Sequence, residues 1–158
     1  MAGDIYRKNR MKGQSVLFSK KSDEWETPQA LFDVLHEEFD FDFDCAATAQ
    51  NAKCKLWLGP GGMTEDALTF DWDDAYCWLN PPYSQCKEFV AKAALEASTG
   101  ATVVLLLPAR TDTKWFHEHI YKKHEVRFLK GRLQFGDSKN NAPFPSMIVV
   151  MRPCLKED

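Results

Sequence analysis

The stretch AYCWLNPPYSQCKEFVAKAALEASTGATVVLLLP (residues 75–108) decides the fold class of this chain. Its first part, AYCWLN (75–80), predicts a strand that ends at a proline pair. A helix capped by Ser84 is expected next, with apolar side chains at helical spacing until Gly100 ends it. ATVVLLLP (101–108) is an almost continuous apolar run, which is typical of a strand buried on both faces. A strand, a helix and a buried strand in succession predict part of a parallel α/β sheet.

The flanking segments extend this alternation of strands and helices. WETPQALFDVLHEEF (25–39) predicts a helix with Thr27 as its N-cap and Pro28 in its first turn. Further strands are expected in FDFDCA (41–46), KLWLGPGG (55–62), HEVRFLKGRLQFG (124–136) and PSMIVVMRP (145–153), and a short helix in TDTKWFHEHIY (111–121). The expected fold is a single α/β domain whose mostly parallel sheet has antiparallel closing strands and helices on both faces.

Composition and charge narrow the function classes. The chain has 158 residues, enough for one domain, and its longest apolar run is far too short to span a bilayer. Five cysteines without a C-x-x-C pair favour reduced thiols in a cytoplasm over a metal cluster or disulfides. The net charge is −3, but residues 7–21 are basic, 22–76 strongly acidic and 110–139 basic again. We expect a flexible basic arm at 1–22 and one domain at 23–158; the basic regions could bind a polyanion or simply be solvated surface.

The ends of the predicted strands bring several polar residues together. In open α/β sheets the ligand lies beyond the carboxyl ends of the strands. This rule places four segments at one edge of the sheet, namely Asp44, the Asp66 loop, Asn80–Tyr83 and the segment 108–110. We therefore expect the functional site at this edge. Trp25, Trp72 and Trp78 are interpreted as core or pocket-wall residues, and the histidines do not have the spacing of a metal site.

Asn80-Pro81-Pro82-Tyr83 has a specific chemical use at such a place. The proline pair stiffens an extended corner and donates no backbone hydrogen bond. The Asn80 side-chain oxygen and the Pro81 carbonyl could then accept both hydrogens of an NH₂ group, while Tyr83 offers a flat face to the ring that carries it. Two acceptors would make an adenine amine a better nucleophile and stabilise the positive charge that develops on it. The alternative is an ordinary turn, since proline pairs are common after strands.

Six segments carry a family resemblance, in this order: EWETPQALFDVLHEEF (24–39), FDFDCAATAQNAKC (41–54), DALTFDW (66–72), WLNPPYS (78–84), VVLLLPARTDTKWFH (103–117) and RFLKGRLQF (127–135). With these motifs the chain resembles the phage-type DNA N-6-adenine methyltransferases, the Dam family. The resemblance covers about residues 24–152. The NPPY motif also marks amino methyltransferases of RNA and of protein glutamine, but the Thr-Pro opening and the Lys-Gly-Arg ending narrow the resemblance to the phage group.

The resemblance implies a Rossmann-like methyltransferase fold, S-adenosylmethionine as cofactor and a flipped adenine in double-stranded DNA as substrate. It also implies a phage or prophage protein in the cytoplasm of a bacterial host. We expect no membrane and no metal, since the donor chemistry needs none. A separate target-recognition domain does not fit into 158 residues, so short loops, the basic segments or a second copy of the chain must read the DNA sequence, and a homodimer is possible. Site roles follow by position. The implied catalytic residues are Asn80, Pro81, Pro82 and Tyr83, and the implied cofactor-binding residues are Thr27, Pro28, Asp44, Cys45, Ala46, Asp66 and Ala67.

Three basic residues are candidates for DNA binding from their positions alone. Arg110 follows the buried strand and could bind a phosphate or pair with Asp112, and Lys130 and Arg132 flank a glycine in KGRLQF.

Two features of the cofactor site depart from common methyltransferase patterns. The turn after the first strand (46–49) lacks glycine, and the second strand ends without a carboxylate for the cofactor ribose. The open alternatives are an RNA or protein glutamine methyltransferase and a non-catalytic binding protein on the same scaffold.

Overall fold

The computed structural model describes residues 25–136 and 139–154, so the predicted basic arm (1–22) lies outside the described residues. Within these ranges the chain alternates between strands and helices, as the sequence predicts. In chain order the elements are α1 (Gln29–Phe39), β1 (Phe43–Asp44), β2 (Leu56–Trp57), β3 (Tyr76–Leu79), a 3₁₀ turn (Tyr83–Gln85), α2 (Cys86–Thr99), β4 (Thr102–Pro108), α3 (Lys114–His119), β5 (Glu125–Phe128) and β6 (Ser146–Met151).

The six strands form one sheet in the order β2-β1-β3-β4-β6-β5. Strands β1 to β4 are mutually parallel, and β6 lies antiparallel between β4 and β5. Five strands therefore point the same way, and their carboxyl ends lie at one edge of the sheet. This arrangement confirms a mostly parallel sheet closed by antiparallel pairing.

The sheet has a hydrophobic core on each face. All residues of β4 are buried, and they alternate between the two cores. Val103, Leu105 and Leu107 pack with α2 and α3, whereas Val104 and Leu106 pack on the side of α1. A strand covered on both faces needs apolar residues at consecutive positions, which explains the run that the sequence shows.

Both helix starts differ from the predictions in an informative way. The N-cap position of α1 is Pro28, not Thr27, and it makes no side-chain capping hydrogen bond. The Thr27 hydroxyl instead accepts a hydrogen bond from the distant Asn80 side chain. A tertiary contact therefore takes the place of the predicted capping hydrogen bond. The prediction of Ser84 as a cap is wrong, because Ser84 lies inside the 3₁₀ turn and α2 begins after Gln85.

Strand β5 is shorter than the sequence predicts. It ends at Phe128, and residues 129–136 form a loop in which Gly131 has a φ of 74°. Glycine readily adopts such a backbone conformation, which interrupts the extended chain. The loop is pinned where Ala142 N–H donates to the Leu133 carbonyl at 2.7 Å and Gly136 N–H donates to the Glu26 carbonyl at 3.0 Å. These bonds hold the loop beside the segment that precedes α1.

Candidate functional site

A cavity of about 900 Å³ opens at the carboxyl ends of β1, β2 and β3. The chain passes from β1 to β2 on one side and then returns to β3 on the other side of β1. This is the switch point of the sheet, where the connecting segments diverge and leave a crevice. The cavity lining comes from Trp25–Thr27, Asp44, Ala46–Thr48, Leu58–Pro60, Glu65–Leu68 and Asn80–Pro82, with further residues from the segment 50–53 and from α2.

Asp44 forms the floor of this cavity at the end of β1. Its side chain is buried, and its two carboxylate oxygens accept hydrogen bonds from the Ala46 N–H at 3.3 Å and the Lys53 N–H at 2.9 Å. Burial raises the pKa of Asp44 to about 6, although both backbone hydrogen bonds oppose the rise. Asp44 therefore ties the loop after β1 to the segment before β2, and its charge depends on pH.

The turn after β1 (46–49) has no glycine, but the loop after β2 has one, Gly59, beside it. Ala47 N–H donates to the Leu58 carbonyl at 3.0 Å, so the loops after β1 and β2 lie back to back. A Cβ on Gly59 would stand 2.1 Å from the Ala47 carbonyl oxygen, and Gly59 has a φ of 133°. The close approach of backbone at this site therefore depends on Gly59, at the end of β2, instead of on the turn after β1.

The Asp66 loop also borders the cavity. The Asp66 side chain is exposed and accepts a hydrogen bond from the Leu68 N–H at 3.0 Å, an Asx turn that fixes the loop. Trp72 anchors the loop further along the chain. Its indole N–H donates to the Ala67 carbonyl at 3.1 Å, and its backbone N–H donates to the carboxylate of buried Glu96 at 3.0 Å. Asp66 is thus presented to the cavity from a rigid support.

Asn80 has the most informative geometry of the site. Its amide nitrogen donates to the Trp25 carbonyl and, at 3.1 Å, to the Thr27 hydroxyl oxygen. The Asn80 Oδ1 atom is buried and has no hydrogen-bond partner. Because a backbone carbonyl can only accept, the nitrogen must face Trp25 and the oxygen must face away from it. Asn80 lines the cavity, so the wall includes a residue whose buried acceptor is unsatisfied, which is costly unless a ligand donates to it.

Tyr83 lies behind this wall and does not line the cavity. Its ring lies 6.2 Å from the ring of Trp25 at an interplanar angle of 22°, and 5.1 Å from Phe144 in an edge arrangement. Burial raises the pKa of the Tyr83 hydroxyl well above its usual value, with a smaller rise from Cys86, while the charge of Arg110 opposes it. Trp25 covers one face of Tyr83 and is itself the half-buried aromatic side chain of the cavity wall.

The structure brings together most of the predicted site residues. Six side chains or backbone segments predicted from the sequence line the cavity together with Asn80 and Asp66, namely Thr27, Asp44, Ala46, Ala67, Pro81 and Pro82. Pro28 is outside the lining. Cys45 is also outside the lining, because it packs in the core with no exposed area. Trp25 lines the cavity, in agreement with its interpretation as a core or pocket-wall residue. Sequence reasoning missed Lys53 and Glu65 as cavity residues, although Glu65 directly precedes Asp66.

Arg110, Lys130 and Arg132 are exposed and lie outside the cavity, on loops that follow β4 and β5. Both strands end at the same edge of the sheet as Asn80. Within residues 25–136 and 139–154, none of the three forms an ion pair, and the suggested Arg110–Asp112 pair is not formed. Three exposed cations, without an ion pair among the described residues, therefore lie on loops at this edge of the sheet.

The described residues hold no group of three or more His, Cys, Asp or Glu side chains that could bind a metal ion. The same part of the chain has no helix with the length and apolarity needed to cross a bilayer. The fold and the site thus define an α/β protein with a cavity at the switch point of its sheet, lined in part by Asn80, whose buried amide oxygen has no hydrogen-bond partner.

Comparisons with known proteins give the family. The model of the family "DNA N-6-adenine-methyltransferase (Dam)" matches residues 14–158. The DNA N-6-adenine-methyltransferase of Haemophilus phage HP1 is 34% identical over 146 residues, which cover 85% of this chain and 83% of the phage protein. That of Escherichia phage T1 is 30% identical over 113 residues, covering 70% of this chain and 46% of the phage protein. The chain belongs to the Dam family, as its motifs predicted.

Proposed function

We propose that the chain is a DNA adenine methyltransferase that transfers a methyl group from S-adenosylmethionine to the exocyclic amine of a flipped adenine. The observation that carries the proposal is the buried, unpartnered Oδ1 of Asn80 at the wall of the cavity. The family relatives are named as DNA adenine methyltransferases, which supports the substrate. The strand order, with one antiparallel strand inserted near the edge, supports a Rossmann-like methyltransferase fold.

The residues of the cavity fit S-adenosylmethionine. The cofactor carries a sulfonium cation, an amino group and two ribose hydroxyls, and the cavity presents the carboxylates of Asp44, Glu65 and Asp66. Its volume of about 900 Å³ lies within the range of cofactor sites. Glu65 is exposed at the end of the loop after β2, so we assign it the ribose contact that the second strand itself lacks. S-adenosylmethionine supplies an electrophilic methyl group, whose bond to sulfur breaks as the bond to the adenine nitrogen forms.

Asn80 acts on the adenine amine. Its fixed oxygen accepts one N–H, which raises the electron density on the nitrogen and stabilises the positive charge as the new bond forms. The rigid Pro81-Pro82 corner sets the position of that oxygen before the substrate arrives, so little reorganisation is needed. No side chain has to act as a base, because the methylated ammonium nitrogen loses its proton readily to water. We assign Trp25 the stacking face inside the cavity, with Tyr83 supporting it from behind.

The adenine has to leave the duplex, since a paired base cannot reach Asn80. We assign Arg110, Lys130 and Arg132 to the phosphates on either side of the flipped nucleotide, because they are exposed, unpaired among the described residues and located at the same sheet edge. Since the named relatives are phage proteins, the substrate DNA would be that of a phage or its bacterial host. A homodimer and the basic arm stay predictions.

RNA and protein amides are weaker candidates, because an amide NH₂ could meet Asn80 but the family and its relatives are named for DNA. A non-catalytic binding protein is also disfavoured. A buried acceptor left without a partner destabilises a protein, and a scaffold that binds no amine has no need of it.

The test is incubation with methyl-labelled S-adenosylmethionine and unmethylated DNA, followed by nucleoside analysis. We expect label in N-6-methyladenine. Asn80→Ala should cost about 2–4 kcal/mol of barrier, roughly a 30- to 1000-fold lower rate, with cofactor affinity almost unchanged.

Asn51→Ala is the matched comparison. Asn51 lines the same cavity, but its side-chain oxygen already accepts a hydrogen bond from the Thr48 N–H at 2.8 Å. This variant should act mainly on the dissociation constant of the cofactor. Label in RNA or protein with none in adenine would reject DNA as the substrate, and failure to bind S-adenosylmethionine in calorimetry would support the non-catalytic alternative.

A further inference from the structure

Thr27 belongs to a different part of the site than its position in the sequence suggests. The Thr-Pro element resembles a cofactor-binding motif, and Thr27 does line the cavity. The residue is only 4% exposed, however, and its hydroxyl oxygen lies 3.1 Å from the amide nitrogen of Asn80. The Thr27 hydroxyl therefore has a defined partner within the protein.

The two hydrogen bonds of the Asn80 amide nitrogen have different roles. The bond to the Trp25 carbonyl decides which end of the amide is nitrogen, because a carbonyl offers no hydrogen. With the bond to Trp25 alone, the side-chain amide of Asn80 could still rotate about that hydrogen bond. The second bond, to Thr27, removes this rotation and so fixes the direction of the unpartnered Oδ1.

The hydroxyl of Thr27 is itself held in place. The carbonyl of Glu26 accepts a hydrogen bond from the Gly136 N–H at 3.0 Å. The Trp25 ring packs edge-on against Phe135 and Phe144, with ring centroids 5.2 and 5.3 Å away. The loop between β5 and β6 therefore holds the segment 25–27 through a hydrogen bond to Glu26 and two ring contacts to Trp25. A β-branched residue in such a place has little freedom at χ1.

We infer that Thr27 is a positioning residue for Asn80, whose hydroxyl orients the amide oxygen toward the amine of the substrate. The inference rests on the proposed function for the identity of the amine. On this inference the Thr27 hydroxyl increases the rate of methyl transfer and does not contribute to the affinity for S-adenosylmethionine. Thr27 touches the substrate only through Asn80.

The experiment compares Thr27→Val, which keeps the shape of the side chain, with Thr27→Ser, which keeps the hydroxyl. Single-turnover methylation is measured at saturating cofactor, and the dissociation constant of S-adenosylmethionine is measured by calorimetry. We expect Thr27→Val to lower the rate about tenfold, as for loss of one ordinary hydrogen bond, with the dissociation constant changed less than twofold. Thr27→Ser should restore most of the rate. In an Asn80→Ala background, Thr27→Val should cause no further loss.

A tenfold weaker cofactor affinity at an unchanged rate would overturn the inference and leave the proposed function intact. Equal losses in the wild-type and Asn80→Ala backgrounds would also overturn it. If the wild-type protein methylated no adenine, the proposed function would fail on its own. Urea unfolding of the wild type, Thr27→Val, Asn80→Ala and the double variant would then decide the inference, because Thr27→Val should lower the midpoint only where Asn80 is present.

Discussion

Gly59→Ala tests whether the back-to-back loops hold the cavity in shape. The added Cβ would lie 2.1 Å from the Ala47 carbonyl oxygen, far inside van der Waals contact, on a backbone with a φ of 133°. The backbone conformation costs on the order of 1–3 kcal/mol for a residue other than glycine. Relief of the overlap adds about 1–3 kcal/mol, since the Ala47 loop would have to move and strain its bond to the Leu58 carbonyl.

The total of roughly 2–6 kcal/mol is a large part of the 5–15 kcal/mol that stabilises a typical domain. Gly61→Ala is the matched control, because Gly61 lies in the same loop with a φ of 76° but has no atom within 4 Å of an added Cβ. It should cost only about 1–2 kcal/mol, from the left-handed backbone alone.

The assay is urea unfolding followed by tryptophan fluorescence, with the free energy of unfolding extrapolated to water. Calorimetric titration with S-adenosylmethionine gives the second readout, and the folded Gly59→Ala protein should bind the cofactor at least tenfold more weakly than Gly61→Ala. If both alanines lowered stability equally and left cofactor affinity unchanged, the close contact between the loops would have no energetic weight.

Two further predictions concern charge. Asp44 has a folded pKa of about 6, above its unfolded value of roughly 3.9, so its ionisation should reduce stability as pH rises from about 4 to 6, by up to about 3 kcal/mol. Unfolding of the wild-type and Asp44→Asn proteins at pH 4 and pH 7 should therefore show the variant gaining relative stability at the higher pH; a constant difference would contradict the assignment. Arg132→Ala and Lys130→Ala should each reduce the salt dependence of DNA binding by about one unit of slope, whereas exposed Lys55, at the edge strand β2, should not change it when replaced by alanine. Unchanged slopes for Arg132 and Lys130 would remove them from the phosphate contacts.

Local patterns were sufficient to predict the sheet. The continuous apolar run predicted the buried strand β4, and the apolar residues at helical spacing predicted the helix α2, because hydrophobic periodicity indicates directly which faces a segment buries. The carboxyl ends of parallel strands share one edge of a sheet, so Asp44 and Asn80 were expected to converge, and both line one cavity. The ends of elements were less predictable, as the 3₁₀ turn before α2 and the early end of β5 show.

The sequence by itself determined a mostly parallel α/β sheet, the edge at which the cavity lies, and the family. The orientation of Asn80 was decided only in the tertiary structure, because its two partners, Trp25 and Thr27, are 55 and 53 positions away along the chain. The same holds for Gly59, whose importance depends on the carbonyl of a neighbouring loop. Periodicity and turn chemistry act within a few residues and can be read locally, whereas a hydrogen bond or a close contact between distant segments exists only once the chain has brought them together.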